Sequence, residues 1–158
     1  MKIKACEDTS LIAPLLKELH EHHLKLDPKL FKKVPDHVYS EIVAKALTSG
    51  EHHFYLAYQE ETPVGFIWLE ELPVRENDLV RLERSLHISG LVTSGLVTKN
   101  HLRGQGIAEA LLAQGETFAK KHDYSQLTLD FWAVNDLREF YTKQGYQPCK
   151  YQYHKGLT

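Results

Sequence analysis

Asn100-His101-Leu102-Arg103-Gly104-Gln105-Gly106-Ile107-Ala108 is the stretch on which the reading of this chain turns. Before it, Leu86 to Thr98 is rich in Val, Thr, Ile and Gly and reads as a long strand. After it, Ile107, Ala108, Leu111, Leu112, Gly115, Phe118 and Ala119 recur at helical spacing and predict an amphipathic helix from Ile107 to His122. A glycine loop between strand and helix presents the unpaired N–H groups of a helix start, and the helix dipole adds to their pull on an anion. Glycine and alanine allow a phosphate close to the backbone, and Arg103 supplies a positive charge. An ordinary turn into a core helix would give the same pattern, so the loop alone does not decide. It lacks the Gly-Lys-Ser/Thr ending of a P-loop. It also carries Glu109 where a dinucleotide fingerprint counted from Gly104 needs Gly or Ala.

Working outward, Ile3 to Cys6 reads as a first strand, and Asp8, Thr9 or Ser10 can cap a helix carrying Leu11, Leu15, Leu19, His22 or His23, and Leu26. Asp27-Pro28 ends it. A second helix follows Pro35-Asp36, with Tyr39, Ile42, Val43, Ala46 and Leu47 on one side and Gly50 as its stop. Phe54 to Tyr58 and Val64 to Leu69 are two strands joined by residues 59–63, and residues 70–85 read as a loop. The strand before the glycine loop holds a tandem repeat, Ser89-Gly90-Leu91-Val92-Thr93 and Ser94-Gly95-Leu96-Val97-Thr98. Its glycines suggest a bulge or a closely approached backbone, and a local duplication absorbed in the strand explains it equally well. Leu127 to Trp132 is a strand, and Asp136-Leu137-Arg138-Glu139 has the form of a capping box opening a short helix that Gly145 closes. Tyr146 to His154 reads as a final strand with Cys149, Tyr151 and Tyr153 on one face.

Composition bounds the function. The 158 residues suggest one domain over 1–158, with 42% hydrophobic and 25% charged residues, an ordinary globular balance. A net charge of -2 gives no general drive toward nucleic acid or membrane. Two distant cysteines, Cys6 and Cys149, do not form a zinc or redox motif. With no apolar signal core or membrane-length run, a cytoplasmic location with reduced thiols is expected. His20-Glu21-His22-His23 and His52-His53 invite a metal reading, but neither has a ligand spacing that completes a site, so no metal is expected.

Two motifs, in order, point to a family. Arg103, Gly106 and Ala108 match Arg/Gln-x-x-Gly-x-Gly/Ala. Leu127 to Leu129, Asn135, Phe140-Tyr141 and Lys143-Gln144-Gly145-Tyr146 match a strand, an Asn, an aromatic–Tyr helix and Lys-x-Gly-Phe/Tyr. The chain thereby resembles the GCN5-related N-acetyltransferase (GNAT) superfamily, with specific likeness over 96–112 and 127–146. It departs from the family in having Thr98 and Asn100 where Val and Pro are common, and in Asn135 standing one residue closer to Tyr141. The resemblance implies an α/β (α+β) fold: a mixed, mostly antiparallel twisted sheet flanked by helices, in the order β-α-α-β-β-β-α-β-α-β.

The resemblance also implies acetyl-CoA as co-substrate and transfer of its acetyl group to a primary amine, small-molecule or peptide, by direct attack on the thioester. A protein N-terminal or lysine acetyltransferase, or a non-catalytic acyl-CoA-binding module, are the alternatives. It assigns cofactor contacts to Leu96, Thr98, Arg103, Gly104, Gln105, Gly106, Ile107, Ala108 and Asn135. The N–H groups of 103–108 would face the pyrophosphate, and the N–H of Thr98 the thioester oxygen. It makes Tyr141 the candidate acid, since a phenol of pKa about 10 stays protonated beside a leaving thiolate. The base is left open among Glu70, Glu71, His87 and water. The first two helices are expected to shape the acceptor pocket, and a homodimer is left open.

Overall fold

The computed structural model describes residues 1–94 and 106–158. Five strands form one sheet in the order of the chain: β1 (Lys2–Ala5), β2 (His52–Gln59), β3 (Thr62–Glu71), β4 (Ser85–Thr93) and β5 (Gln126–Leu129). The first four are mutually antiparallel, and β5 runs parallel to β4. The described helices are α1 (Thr9–Leu26), α2 (Asp36–Ser49), α3 (Ile107–Lys121) and α4 (Arg138–Lys143). The fold is the mixed, mostly antiparallel sheet with flanking helices that the sequence implies.

The helix ends follow their local chemistry. The Asp8 carboxylate accepts the Ser10 N–H at 2.9 Å and caps α1, while Asp27 ends it. Pro35 precedes α2, and Gly50 closes it in a left-handed conformation. The α1 stripe is centred one residue later than expected: Ile12, Ala13 and Leu15 are buried, while Leu11 is 36% exposed.

Each face of the sheet has its own core. On one side α3 lays Ile107, Leu111, Leu112 and Phe118 against Ile67, Leu69, Leu86 and Ile88. On the other, α1 and α2 bring Ile12, Leu15, Tyr39 and Val43 against Phe54, Leu56, Phe66 and Val92. Fully burying a side chain of this size contributes about 1.5–3 kcal/mol relative to exposure, so both faces are needed to hold the sheet.

The repeat in β4 has a structural consequence. Trp68 pairs with Gly90 and Leu69 with Ile88, which leaves Ser89 as an extra residue. The bulge reverses the alternation: Leu86 and Ile88 face α3, whereas Val92 faces α1 and α2. Gly90 lies directly over the Phe66 ring, where an added Cβ would stand 3.1 Å from Phe66 Cε1. Both sequence expectations for this glycine, a bulge and a close approach, are met at one place.

Three local expectations need correction. No strand forms over 146–154; residues 147–158 are exposed and carry neither helix nor strand. A strand needs a neighbour, and none is paired to it here. The strand expected over 127–132 stops at Leu129, because the chain turns, with the Asn135 N–H donating to the Trp132 carbonyl at 2.8 Å. The capping box is not formed as a box. Asp136 lies one residue before the Leu137 cap position, accepts the Arg138 N–H at 3.1 Å and binds the Arg138 guanidinium, while Glu139 pairs with Lys143.

Candidate active site

The sheet opens into a fork between β4 and β5. Their pairing runs from Ser85↔Gln126 to Ile88↔Leu129 and stops there, whereas β4 continues to Thr93. Ser89 to Thr93 therefore have no strand partner on the β5 side among the described residues. Gly65, opposite Thr93, lies against α3: a Cβ built on it would stand 3.3 Å from both Ile107 Cγ2 and Leu111 Cδ1. The N-terminus of α3 thus sits beside the upper end of β4. Among the described residues no side chain caps it, and Gly106 at its cap position has φ 69, a left-handed conformation that favours glycine. The first N–H groups of α3 have no intrahelical partner and no described side chain takes them up. Gly106, Ile107 and Ala108 occupy this corner; Leu96, Thr98, Arg103, Gly104 and Gln105 lie outside the described residues.

Tyr141 stands below the other arm of the fork, 8% exposed. Its ring stacks on Phe131 at 5.7 Å and meets the edges of Phe140 and Tyr146 at 5.0 and 5.6 Å. Burial pushes its phenol up to about 12, so it is fully protonated near neutrality. No hydrogen-bond partner for this hydroxyl occurs among the described residues. The Asn135 Oδ1 lies 3.3 Å from Nε2 of His22 on α1.

The three candidate bases are divided between the two faces. Glu71 lies on the α3 side, 2.9 Å from His53 Nε2, and accepts the Tyr124 hydroxyl at 2.5 Å. Burial alone would raise its carboxyl, but the hydrogen bonds from His53 and Tyr124 hold it below the usual range. Glu70 and His87 lie on the α1 and α2 side and form part of a transverse row. His52 pairs with Glu70, Glu70 with His87, and His87 with Thr128. The row is tied together: Trp68 Nε1 donates to His52 Nδ1 at 2.9 Å, the Ser89 hydroxyl donates to Glu70 Oε2 at 3.1 Å, and His87 Nδ1 lies 2.8 Å from Thr128 Oγ1. His87 sits one rung below the point where β4 and β5 part.

Trp68, Ser89 and Thr128 were not among the residues singled out by sequence. Their place in the row follows from strand register, which no local pattern in the sequence specifies.

The far end of α1 reaches across to the segment after β5. His23 stacks on Phe31 at 5.2 Å, and Phe31 meets Trp132 edge-on at 5.5 Å. With His22–Asn135, this makes two bridges from α1 and the α1–α2 connection to the β5 arm. His20 is occupied elsewhere, 2.7 Å from the Tyr39 hydroxyl. Among the described residues no group of three His, Cys, Asp or Glu side chains is placed to hold a metal ion.

A family model described as an acetyltransferase (GNAT) domain matches residues 16–157. The chain belongs to this family. GNAT acetyltransferases use acetyl-CoA, and the fork with its uncapped helix start suits that ligand: a cleft for an extended arm and N–H groups for a pyrophosphate. No curated protein matches the chain. Among solved structures it is similar to the BH1408 protein from Bacillus halodurans, with TM-score 0.87 and 19% identity over 99% of this chain and 100% of that one. It is also similar to an acetyltransferase from Clostridium acetobutylicum with acetyl-CoA (TM-score 0.71, 16% identity, 98% and 95% covered). A third is the ribosomal-protein-alanine N-acetyltransferase from Brucella melitensis biovar Abortus 2308 (TM-score 0.68, 19% identity, 100% of both chains). At these identities the likeness speaks to the GNAT fold alone. Among the described residues no helix is long and apolar enough to cross a membrane.

Proposed function

We propose that residues 1–158 form one N-acetyltransferase domain that moves the acetyl group of acetyl-CoA to the primary amine of a small molecule. The observation that carries this reading is the fork beside an uncapped α3, with Tyr141 on one arm and the Glu70–His87 row beneath the other. In this reading the pyrophosphate is assigned to backbone N–H groups of 103–108 and the acyl arm with its thioester oxygen to Leu96 and Thr98, of which only Gly106, Ile107 and Ala108 lie among the described residues. Asn135 acts less directly, by fixing the β5 arm to α1 through His22.

The amine enters from the α1 and α2 side and must be neutral to attack. His87 is the proton acceptor in the tautomer whose Nδ1–H donates to Thr128, which leaves the Nε2 lone pair open. Glu70, held by Ser89 and opposite His87 in the strand register, is a positioning residue. Glu71 is not the base, because its carboxylate is occupied on the opposite face.

Attack forms the N–C bond, and collapse breaks the C–S bond and releases a thiolate. Tyr141 hydrogen-bonds that thiolate. Burial keeps its phenol protonated, pushed up to about 12, so Tyr141 stabilises the charge through that hydrogen bond, and the final proton comes from solvent or the protonated base.

A small acceptor is favoured over a protein one by the Phe31–Trp132 and His22–Asn135 bridges, which close α1 onto the β5 arm where an extended peptide would lie. A cytoplasmic location fits the unpaired Cys6 and Cys149. Titration calorimetry with acetyl-CoA tests the binding half of the proposal. The protein should bind, and Gly106→Glu should abolish binding, since it strains a left-handed position and adds a carboxylate next to Glu109. Equal affinity in the variant would remove the helix start from the site.

A further inference from the structure

Three aromatic rings from three separate segments meet on the acceptor side of the fork. His23, near the end of α1, stacks on Phe31 at 5.2 Å with the ring planes 17° apart. Phe31, in the α1–α2 connection, meets Trp132 at 5.5 Å with the planes 89° apart. Two flat walls thus stand at a right angle, one made by His23 and Phe31 and the other by Trp132.

This corner is held in place and left open. Phe31 and Trp132 belong to neither core of the sheet. The His22–Asn135 contact nevertheless pins the same two segments together. A turn fixes Trp132, whose carbonyl accepts the Asn135 N–H at 2.8 Å. Even so, Trp132 stays 49% exposed. Its neighbour Phe131 packs on the α3-side core and stacks on Tyr141. Adjacent residues of one arm therefore serve the two sides of the fork: Phe131 backs Tyr141, and Trp132 lies on the side of α1 and His87. Thr128, beside His87, precedes Trp132 by four residues, at most roughly 14 Å of chain.

Near neutrality the corner is flat and uncharged. Burial, with the neighbouring His22 and His20, holds the His23 imidazole below its ordinary value, so its stack on Phe31 is that of a neutral ring. Such a surface complements another flat ring, which can lie offset against one wall and present its edge to the other. Those are the two arrangements that aromatic pairs prefer.

We propose that this corner is a specificity subsite for an aromatic ring carried by the acceptor, so that the favoured substrates are arylalkylamines. The amine, on a short alkyl chain, reaches His87 while the ring rests between Trp132 and Phe31. The inference rests on the acetyltransferase reading above and adds to it the class of amine.

Calorimetry in the presence of coenzyme A, which carries no acetyl group to transfer, reads the subsite directly. 2-Phenylethylamine should bind about tenfold more tightly than hexylamine or 1,4-diaminobutane, the scale of one well-filled apolar contact. Trp132→Ala should bring that ratio to about one, and Trp132→Phe, which keeps a ring, should restore most of it. The same ratios should appear in kcat/KM for thiol release from acetyl-CoA. Equal affinity for the three amines, a preference for the diamine, or a ratio that survives Trp132→Ala would each overturn the subsite. Thiol release absent with every amine, while the ring preference persists in calorimetry, would overturn the transfer reading and support the subsite.

Discussion

Glu70 and Glu71 are adjacent in β3, and the alternation of the strand sends them to opposite faces. Glu71 is held by His53, whose ring packs on Phe118, and by Tyr124 on the side that α3 covers. Its oxygens are taken up in tying β2, β3 and the α3–β5 connection together. Glu70 belongs to a half-buried row of polar side chains on the α1 and α2 side, close to where β4 and β5 separate. Two carboxylates of the same kind, one peptide bond apart, thus have different surroundings. A carboxylate with two fixed donors contributes to stability, whereas one beside an imidazole with an open nitrogen can take part in proton transfer.

The largest effect is expected at His87. His87→Ala should lower turnover about 10²–10⁴-fold, the range of a general base, with acetyl-CoA affinity unchanged by calorimetry. If Glu71→Gln causes the larger kinetic loss, the division of the two faces is wrong. Tyr141→Phe should follow at about 10²-fold in turnover, again at constant affinity. Its phenol donates a hydrogen bond without surrendering its proton, so the rate should not titrate with this group below about 12. An unchanged rate, with the chemical step shown to be limiting, would make Tyr141 a packing residue of the Phe131 stack.

On the other face the expected effects are on stability. Glu71→Gln should cost about 1–3 kcal/mol, as for a half-buried group losing charged hydrogen bonds, read as a lower denaturant midpoint with normal turnover. The pH dependence has a definite sign. The folded carboxyl of Glu71 is held below its ordinary value. Its contribution is therefore complete above the unfolded value of about 4.3 and is lost as pH falls through the folded one. Wild type and Glu71→Gln should converge in stability on acidification below about pH 4. A gap that widens there would contradict the assignment. The smallest effect is expected at Phe31. Phe31→Ala opens the contact with Trp132 and should reorder preference among amines by about tenfold, the scale of one apolar contact, without altering acetyl-CoA binding.

The ends of α1 and α2 were legible in sequence because each is a local request: a cap or a left-handed position. Asp8 and Gly50 stand where such requests placed them, while the glycine loop lies largely outside the described residues. The polar row was not legible. It depends on which residue of β4 meets which residue of β3 and β5, and the Ser89 bulge resets that count. Glu70 and Glu71 therefore carried equal weight until their faces were known. The strand expected over 146–154 shows the opposite case. The alternation of Cys149, Tyr151 and Tyr153 is a genuine strand signal, but alternation states only that a strand wants a partner, not that the same chain provides one.

The central claim is that this fork transfers acetyl groups to small primary amines. Its most direct test is thiol release from acetyl-CoA by the full chain across a panel of small amines and peptides, with mass analysis of the product. The account predicts saturable release with one or more small amines, an acetylated amine as product, and loss of release in Gly106→Glu. Release no faster with any small amine than without one, or acetylation of peptides alone, would contradict it.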